Sequence, residues 1–409
     1  MKNNKKGATY CDNGVVPNLI SGKGPLFSEK IFLTRPNLPS KEDLLPMIGK
    51  MLEKRWVTNF GDFQNELEER IKKALGVKHV LLCCNGTIGL FILLKALGLK
   101  GRVITTPFTF PATIHSICMA GMEPVFCDIN PDTYTILPAA VERGIAGDVS
   151  AIMSVNVFGN MSDVDALAAI GAKHGIPVVY DSAHAFLCSY KGKFAGGFGA
   201  AEMFSFHATK LFTTLEGGAI TTNDTELFKR LKLMINFGIK DEEHVVAVGL
   251  NGKMTEMNAI FGLLSLDRVD GIIEKLRRLA GVYRNRLATL HGIKFQKIME
   301  GCVTNDQYMP IEIDPELFGL DRDALYGALK ADNVYARKYF FPAGHNYDCF
   351  KGMKFADGAK LPNTDRVARR ILCLPLYYSL ADGDVNRICD LIESIHYRRN
   401  EISSRLKKR

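Results

Sequence analysis

From residue 63 onward, helix-like stretches with apolar residues at three- and four-residue spacing alternate with short unbroken apolar runs. Residues 63–75, 88–97 and 164–174 predict helices. The runs at 80–84, 103–105, 124–127, 151–157 and 177–180 predict strands, since they are too short for helices and apolar enough to be covered on both faces. Strand and helix in alternation predict an α/β fold, with a mostly parallel sheet between two layers of helices. In such a fold, chemistry collects in the loops at the carboxyl ends of the strands.

Beyond residue 254 the pattern changes. Residues 255–290 predict one long helix, bridging toward a smaller α+β region with strands at 309–313 and 372–376 and helices at 322–332 and 383–395. These readings divide the chain into a large domain, 30–274, and a small C-terminal domain, 275–409. Neither an internal repeat nor a low-complexity linker interrupts them.

Composition narrows the class without naming a function. With 409 residues, 47% hydrophobic and 23% charged, the chain can bury a large core. Its formal charge of +8 is partly carried by the ends, Lys2, Lys5, Lys6, Arg405, Lys407, Lys408 and Arg409. No basic stripe interleaved with aromatics accompanies that charge, so no nucleic-acid partner is expected; an anionic small substrate fits equally well. No signal-peptide-like or membrane-length apolar segment is present, so a cytoplasmic protein without a membrane partner is expected. Ten cysteines are scattered without a CxxC pair, and no metal site is expected.

Three segments are candidates for chemistry. Cys84-Asn85-Gly86-Thr87 follows a strand and opens a helix, where unpaired amides and the positive dipole end suit a phosphate. Asn85 or Thr87 serving only as a helix cap is the alternative. The run Val178-Val179-Tyr180-Asp181-Ser182-Ala183-His184 ends a strand in an acid, which suits the holding of a protonated pyridine nitrogen; capping the next turn is the other role open to Asp181, as ordinary core packing is to His184. The third segment runs from Phe204-Ser205 through His207-Ala208-Thr209-Lys210 to Gly217-Gly218 and sets a lysine among apolar and small residues. Burial lowers a lysine's pKa and prepares its amine to attack a carbonyl, whereas a lysine is ordinarily a solvated surface residue.

In this order and spacing the three segments resemble the DegT-type family, the fold type I sugar-nucleotide aminotransferases. The resemblance extends to Phe60-Gly61, Thr106-Pro107-Phe108-Thr109-Phe110 and Glu123-Pro124-Val125-Phe126-Cys127-Asp128 and spans nearly the whole chain. It implies a pyridoxal 5'-phosphate cofactor held by Lys210, with Asp181 on the pyridine nitrogen and His184 near the phenolic oxygen. Gly86, Thr87 and Ser205 match the family's phosphate-holding positions, and Phe110 its ring-stacking aromatic, unless Phe110 is a plain core residue. Asn251 matches an asparagine that reaches the phosphate of a neighbouring subunit, which implies a homodimer; a turn beside Gly252 is its other reading. Two departures stand out: Asn85 replaces the family's usual serine, and Asn251-Gly252-Lys253-Met254 replaces Asn-Tyr-Arg-Met. Some members of the fold carry histidine in place of the lysine and act as dehydratases; here Lys210 favours transamination.

Within the family, Thr34-Arg35-Pro36-Asn37-Leu38-Pro39 and Val334-Tyr335-Ala336-Arg337-Lys338-Tyr339-Phe340 resemble the VioA-type transaminases of deoxyamino sugar and O-antigen biosynthesis. The implied substrates are glutamate and a dTDP-linked 4-keto-6-deoxy sugar, with Arg337 and Lys338 as candidates to meet its diphosphate; both are otherwise ordinary surface charges. A 3-keto sugar or cyclitol substrate, and a cofactor-binding regulatory protein without turnover, are the alternatives.

Overall fold

The computed structural model describes residues 14–356 and 359–406. Lys2, Lys5, Lys6, Cys11, Lys407, Lys408 and Arg409 lie outside the described residues, while Arg405 is exposed on a terminal helix.

Seven strands build the central sheet: β1 (His79–Cys83), β2 (Arg102–Thr105), β3 (Glu123–Phe126), β4 (Val149–Val155), β5 (Val178–Asp181), β6 (Ala201–Ser205) and β7 (Gly218–Thr222). Their order is β1-β7-β6-β5-β4-β2-β3, and every pairing is parallel except those of β7, which runs against both β1 and β6. Burial of β4 and β5 on both faces explains why the sequence shows apolar runs there instead of alternation. The strand β6 escapes that pattern because Glu202 interrupts its apolar run, although the side chain is fully buried.

Helices α2 (Asp62–Leu75), α3 (Gly86–Ala96), α4 (Pro111–Met119), α5 (Val164–His174) and α6 (Thr225–Met234) pack on the sheet, and α1 (Lys41–Lys54), α7 (Glu256–Leu266) and α8 (Val269–Leu287) pack on other helices. Helix α1 is not evident in the apolar pattern. Ser40 caps it by accepting the Asp43 amide at 3.1 Å, and it accommodates Pro46, a residue that normally argues against a helix interior.

The single helix expected over 255–290 is two. It breaks at Arg268 (φ −112°, ψ −4°), where three contacts hold the junction. Ser265 accepts the Thr213 amide at 3.3 Å, Arg70 pairs with Asp267 at 2.5 Å, and Arg268 donates to the Leu38 carbonyl at 2.9 Å. The two halves have different partners: α7 packs on α1 and α2, while α8 packs on a later helix. Continuous periodicity therefore concealed a change of neighbour.

The remaining chain contains a three-stranded antiparallel sheet, β8 (Ile293–Phe295), β9 (Met309–Ile313) and β10 (Ile371–Leu374), in that order, with α9 (Arg322–Ala331) and α10 (Asp382–Tyr397), the partner of α8. Near the chain's beginning, Ile31–Phe32 pairs in parallel with Val334–Tyr335. Among the described residues no helix is long and apolar enough to cross a membrane.

One close approach organises the region where the candidate segments meet. A Cβ on Gly218, at the start of β7, would lie 2.7 Å from the Phe204 carbonyl oxygen and 3.0 Å from the Gly86 amide nitrogen. Only glycine lets β6, β7 and the start of α3 draw together, and so brings the first and third segments side by side.

Candidate active site

The three segments line one cavity of about 240 Å³ at the carboxyl ends of β5 and β6. Its walls include Gly86, Thr87, Phe110, Asp181, His184, Ser205 and Lys210, together with Tyr308, Tyr339 and Phe340 from the later part of the chain. Asn251, Arg337 and Lys338 lie outside it.

Lys210 sits in the turn after β6, its amide bonded to the His207 carbonyl at 2.9 Å. Its Nζ donates to Tyr308 Oη at 3.2 Å. Burial of the amine pushes its pKa down to about 8, against the opposing charge of Asp181. On that value roughly one lysine in ten is neutral and nucleophilic at pH 7, far more than for a solvated lysine.

Asp181 ends β5 with 4% of its surface exposed. Its Oδ2 accepts from Thr113 Oγ1 at 2.6 Å and its Oδ1 from the Ala183 amide at 3.1 Å. Thr113, on α4, is itself bonded to Thr109 Oγ1 at 2.7 Å. Burial raises the Asp181 pKa, and the two hydrogen bonds and the Lys210 charge oppose it. A cationic group entering the cavity would complete the stabilisation of this carboxylate. The Ala183 amide bond shows Asp181 capping its turn as well, so both roles open to it in the sequence are compatible.

Behind Asp181, Glu202 accepts from Ser182 Oγ (2.5 Å) and from the Gly196 (2.6 Å) and Phe198 (2.9 Å) amides, and Ser182 accepts from Asn156 Nδ2 at 2.9 Å. Burial pushes Glu202 up to about 7. A carboxyl whose pKa is raised by folding keeps its proton when the unfolded chain has lost it, so stability falls as pH climbs from about 4.5 to about 7. Glu202→Gln, which cannot ionise, is expected to narrow the difference in unfolding free energy between pH 5 and pH 8 by about 2–3 kcal/mol. Urea denaturation at the two pH values measures it, and an unchanged difference would refute the assignment.

His184 is buried, and burial with the nearby Lys210 charge lowers its pKa well below the usual value. Its Nδ1 accepts the Phe158 amide at 3.0 Å, so in the neutral ring the proton is on Nε2. That amide is aimed by an unusual backbone: Phe158 has φ 57° and ψ 22°, the left-handed region a bulky residue avoids without compensation. Phe340 stacks on His184 at 6.0 Å and 13°. His184 is thus a hydrogen-bonded interior histidine that also faces the cavity.

At the start of α3, which lines the same cavity, Asn85 Oδ1 accepts the Ile88 amide at 2.9 Å. Its side chain is therefore a helix cap, a role that asparagine fills as well as the family's usual serine. Gly86 and Thr87 are the first two residues of α3, whose amides have no intrahelical partner. A Cβ on Gly86 would lie 2.8 Å from Met203 Sδ, so the residue's smallness keeps this wall open. Phe110 is 53% exposed at the cavity rim, which excludes a plain core role.

Asn251 is exposed, and in the same segment Gly252 packs so closely that a Cβ would lie 3.0 Å from Ile88, Ile92 and Ile235. Arg337 lines a second cleft of about 380 Å³ that shares Thr209, Tyr308 and Tyr339 with the first. Lys338 turns elsewhere, pairing with Asp323 at 2.6 Å over the ring of Tyr326. The sequence reading missed Thr113, Phe158 and Tyr308. Their only trace is proximity to phrases already noted, as with Thr113 just after Phe110.

Residues 39–393 match the DegT/DnrJ/EryC1/StrS aminotransferase family. The chain is 37% identical to the dTDP-4-amino-4,6-dideoxy-D-glucose transaminase of Shigella dysenteriae over 89% of its length and 99% of that protein. It is 38% identical to the Escherichia coli enzyme of the same name, over 88% of this chain and 97% of that one. The crystal structure of DesI with its TDP-sugar product superimposes with a TM-score of 0.91 at 36% identity, covering 95% of this chain and 99% of that one. Sequence, fold and cavity agree: the chain belongs to the DegT/DnrJ/EryC1/StrS aminotransferase family.

Proposed function

We propose that the chain binds pyridoxal 5'-phosphate and transfers an amino group from glutamate to a dTDP-linked 4-keto-6-deoxy sugar, giving dTDP-4-amino-4,6-dideoxyglucose. The observation that carries this reading is the opening of the Lys210 amine and the Asp181 carboxylate into one cavity, which the start of α3 also lines. The donor set fits the cofactor. The amides of Gly86 and Thr87 with the hydroxyls of Thr87 and Ser205 suit a phosphate, and Asp181 suits a protonated ring nitrogen. His184 Nε2–H suits the phenolic oxygen, and Phe110 offers an exposed face to the ring. When bound, the cofactor supplies the carbonyl that takes up the amino group and the ring that withdraws electrons. Lys210 would anchor it through its amine, and that amine, once freed, would carry a proton to and from the substrate carbon.

Arg337 is exposed beside the main cavity and has no side-chain ion pair among the described residues, which suits the diphosphate. Lys338, engaged with Asp323, has no part in this reading. The dTDP sugar as substrate is supported by the names of the Shigella and Escherichia transaminases. We take residues 30–274 as the cofactor-binding domain and 275 onward as the smaller one, in line with the separate sheets on either side of α8.

A homodimer with Asn251 reaching the partner's phosphate completes the reading. The segment around Asn251 displays Phe237, Val245, Val246 and Val248, from 48% to 91% exposed, an apolar surface that calls for a cover. Val248→Asp is expected to shift the protein from dimer to monomer in sedimentation velocity and to weaken cofactor retention at least about tenfold. A dimer unaffected by the substitution would remove Val248 from the interface.

Glutamate-dependent amination across a panel of nucleotide keto sugars, with products identified by NMR, tests the function. Product from the dTDP-4-keto-6-deoxy sugar is expected at the highest kcat/KM; a preference for a 3-keto sugar or a cyclitol would replace the substrate assignment.

A further inference from the structure

The partner of Lys210 Nζ is a residue that no motif pointed to. Tyr308 reaches the amine from 98 positions further along the chain, with its oxygen 3.2 Å from Nζ. No other hydrogen-bond partner of Nζ is present among the described residues. We propose that Tyr308 is a positioning residue of the transamination, whose hydroxyl holds the Lys210 amine, charged or neutral, at the point from which it moves the substrate proton. This rests on the reading of Lys210 given above.

A phenol hydroxyl suits that task because it both accepts and donates. It accepts from an ammonium and, after rotating, donates to the lone pair of a neutral amine, so one contact serves both states. Burial pushes the Tyr308 hydroxyl well above its usual pKa, so it does not ionise and trap the amine as a permanent ion pair. A carboxylate in its place would favour only the charged amine.

The hydroxyl is also held in place. The Tyr308 ring lies 4.5 Å from that of His184 and 5.6 Å from that of Phe158, and its residue is 5% exposed. The preceding residues lock the backbone. Asn305 Nδ2 donates to the His184 and Phe186 carbonyls at 3.0 and 2.9 Å, and Gln307 Nε2 donates to the His184 carbonyl as well. Between them Asp306, at φ 52°, pairs with Arg284 at 2.7 Å and Arg277 at 3.4 Å. Tyr308 is therefore tied to the same His184 that faces the cofactor cavity, and the amine gains a fixed reference point within it. A displaced lysine on a four-carbon stem would otherwise sample many rotamers, and proton transfer is sensitive to misplacement on the ångström scale.

The test uses the full chain loaded with pyridoxal 5'-phosphate, comparing Tyr308→Phe with the unaltered protein. In single turnover with glutamate, the half-reaction is expected to slow about 10- to 100-fold, with KM for glutamate within about twofold. The deuterium isotope effect with α-deuterated glutamate is expected to rise, because proton transfer becomes the slow step. A readout independent of turnover is the pH titration of the loaded protein's visible absorbance without substrate. Loss of an acceptor from the protonated nitrogen is expected to lower its midpoint by about half a unit or more. Raised KM with unchanged kcat and an unmoved absorbance midpoint would overturn the proposal, leaving Tyr308 a packing residue. Wild-type behaviour of Tyr308→Phe would also overturn it, provided Lys210→Met is inactive. An active Lys210→Met would instead sink the reading of Lys210 itself.

Discussion

Replacing Lys210 with methionine is expected to abolish turnover, by on the order of 10⁴-fold or more, while making the cofactor-free protein more stable at pH 7. The loss follows if one amine is both covalent anchor and proton carrier, since among the described residues no neighbour on the cavity wall carries a second amine. The gain follows from burial. The amine titrates at about 8 in the fold against 10.5 when unperturbed, so the folded state resists a proton that the unfolded chain accepts. With folding lowering the pKa, stability is lost as pH falls from about 10.5 to about 8, and at pH 7 the full cost applies. That cost is about 2–3 kcal/mol once the part of the side chain facing the cavity is discounted. Methionine has similar reach and no charge. Urea denaturation of both cofactor-free proteins should show the gain at pH 7 and less than about 1 kcal/mol of it at pH 10. A variant that is inactive yet no more stable would mean that the amine is better solvated than its surroundings indicate.

Asp181→Asn is expected to lower kcat by about 10²–10³, with a smaller effect on KM for glutamate. The substitution keeps the shape and an oxygen for the Thr113 hydroxyl but removes the charge that would hold the ring nitrogen protonated. Thr113→Val is the informative companion. It leaves the carboxylate in place and removes one of its two hydrogen bonds, so a loss of about tenfold or less is expected. Steady-state kinetics on the two variants decide the matter. If Thr113→Val were as damaging as Asp181→Asn, position rather than charge would be what this carboxylate provides.

These expectations draw on unequal sources. Residue 181 was legible because it ends a strand, where a short apolar run stops and a polar side chain must project into the loops that carry chemistry, and residue 210 because a lysine set among apolar and small residues departs from the usual solvated surface lysine. The same local logic made most of the parallel sheet legible, since a strand covered on both faces leaves an unbroken apolar run in one dimension. It missed β6 because burying Glu202 depends on Ser182 and two amides from other segments, which a pattern along the chain does not register.

The chain by itself determined most of the parallel strands and the helices between them, which follow from short-range periodicity, and it marked the lysine and the acid as candidates by residue type, their roles being what the family resemblance implies. Only the tertiary structure decided that residues 255–290 form two helices, that Asn85 caps α3 while its neighbours keep their amides available, and that Lys338 turns to Asp323. It also decided the partners of the two central groups: Thr113, 68 positions from Asp181, and Tyr308, 98 from Lys210. Hydrogen bonds across such separations depend on how sheets and helices close on one another, and a residue that acts through such a contact leaves no spacing to read.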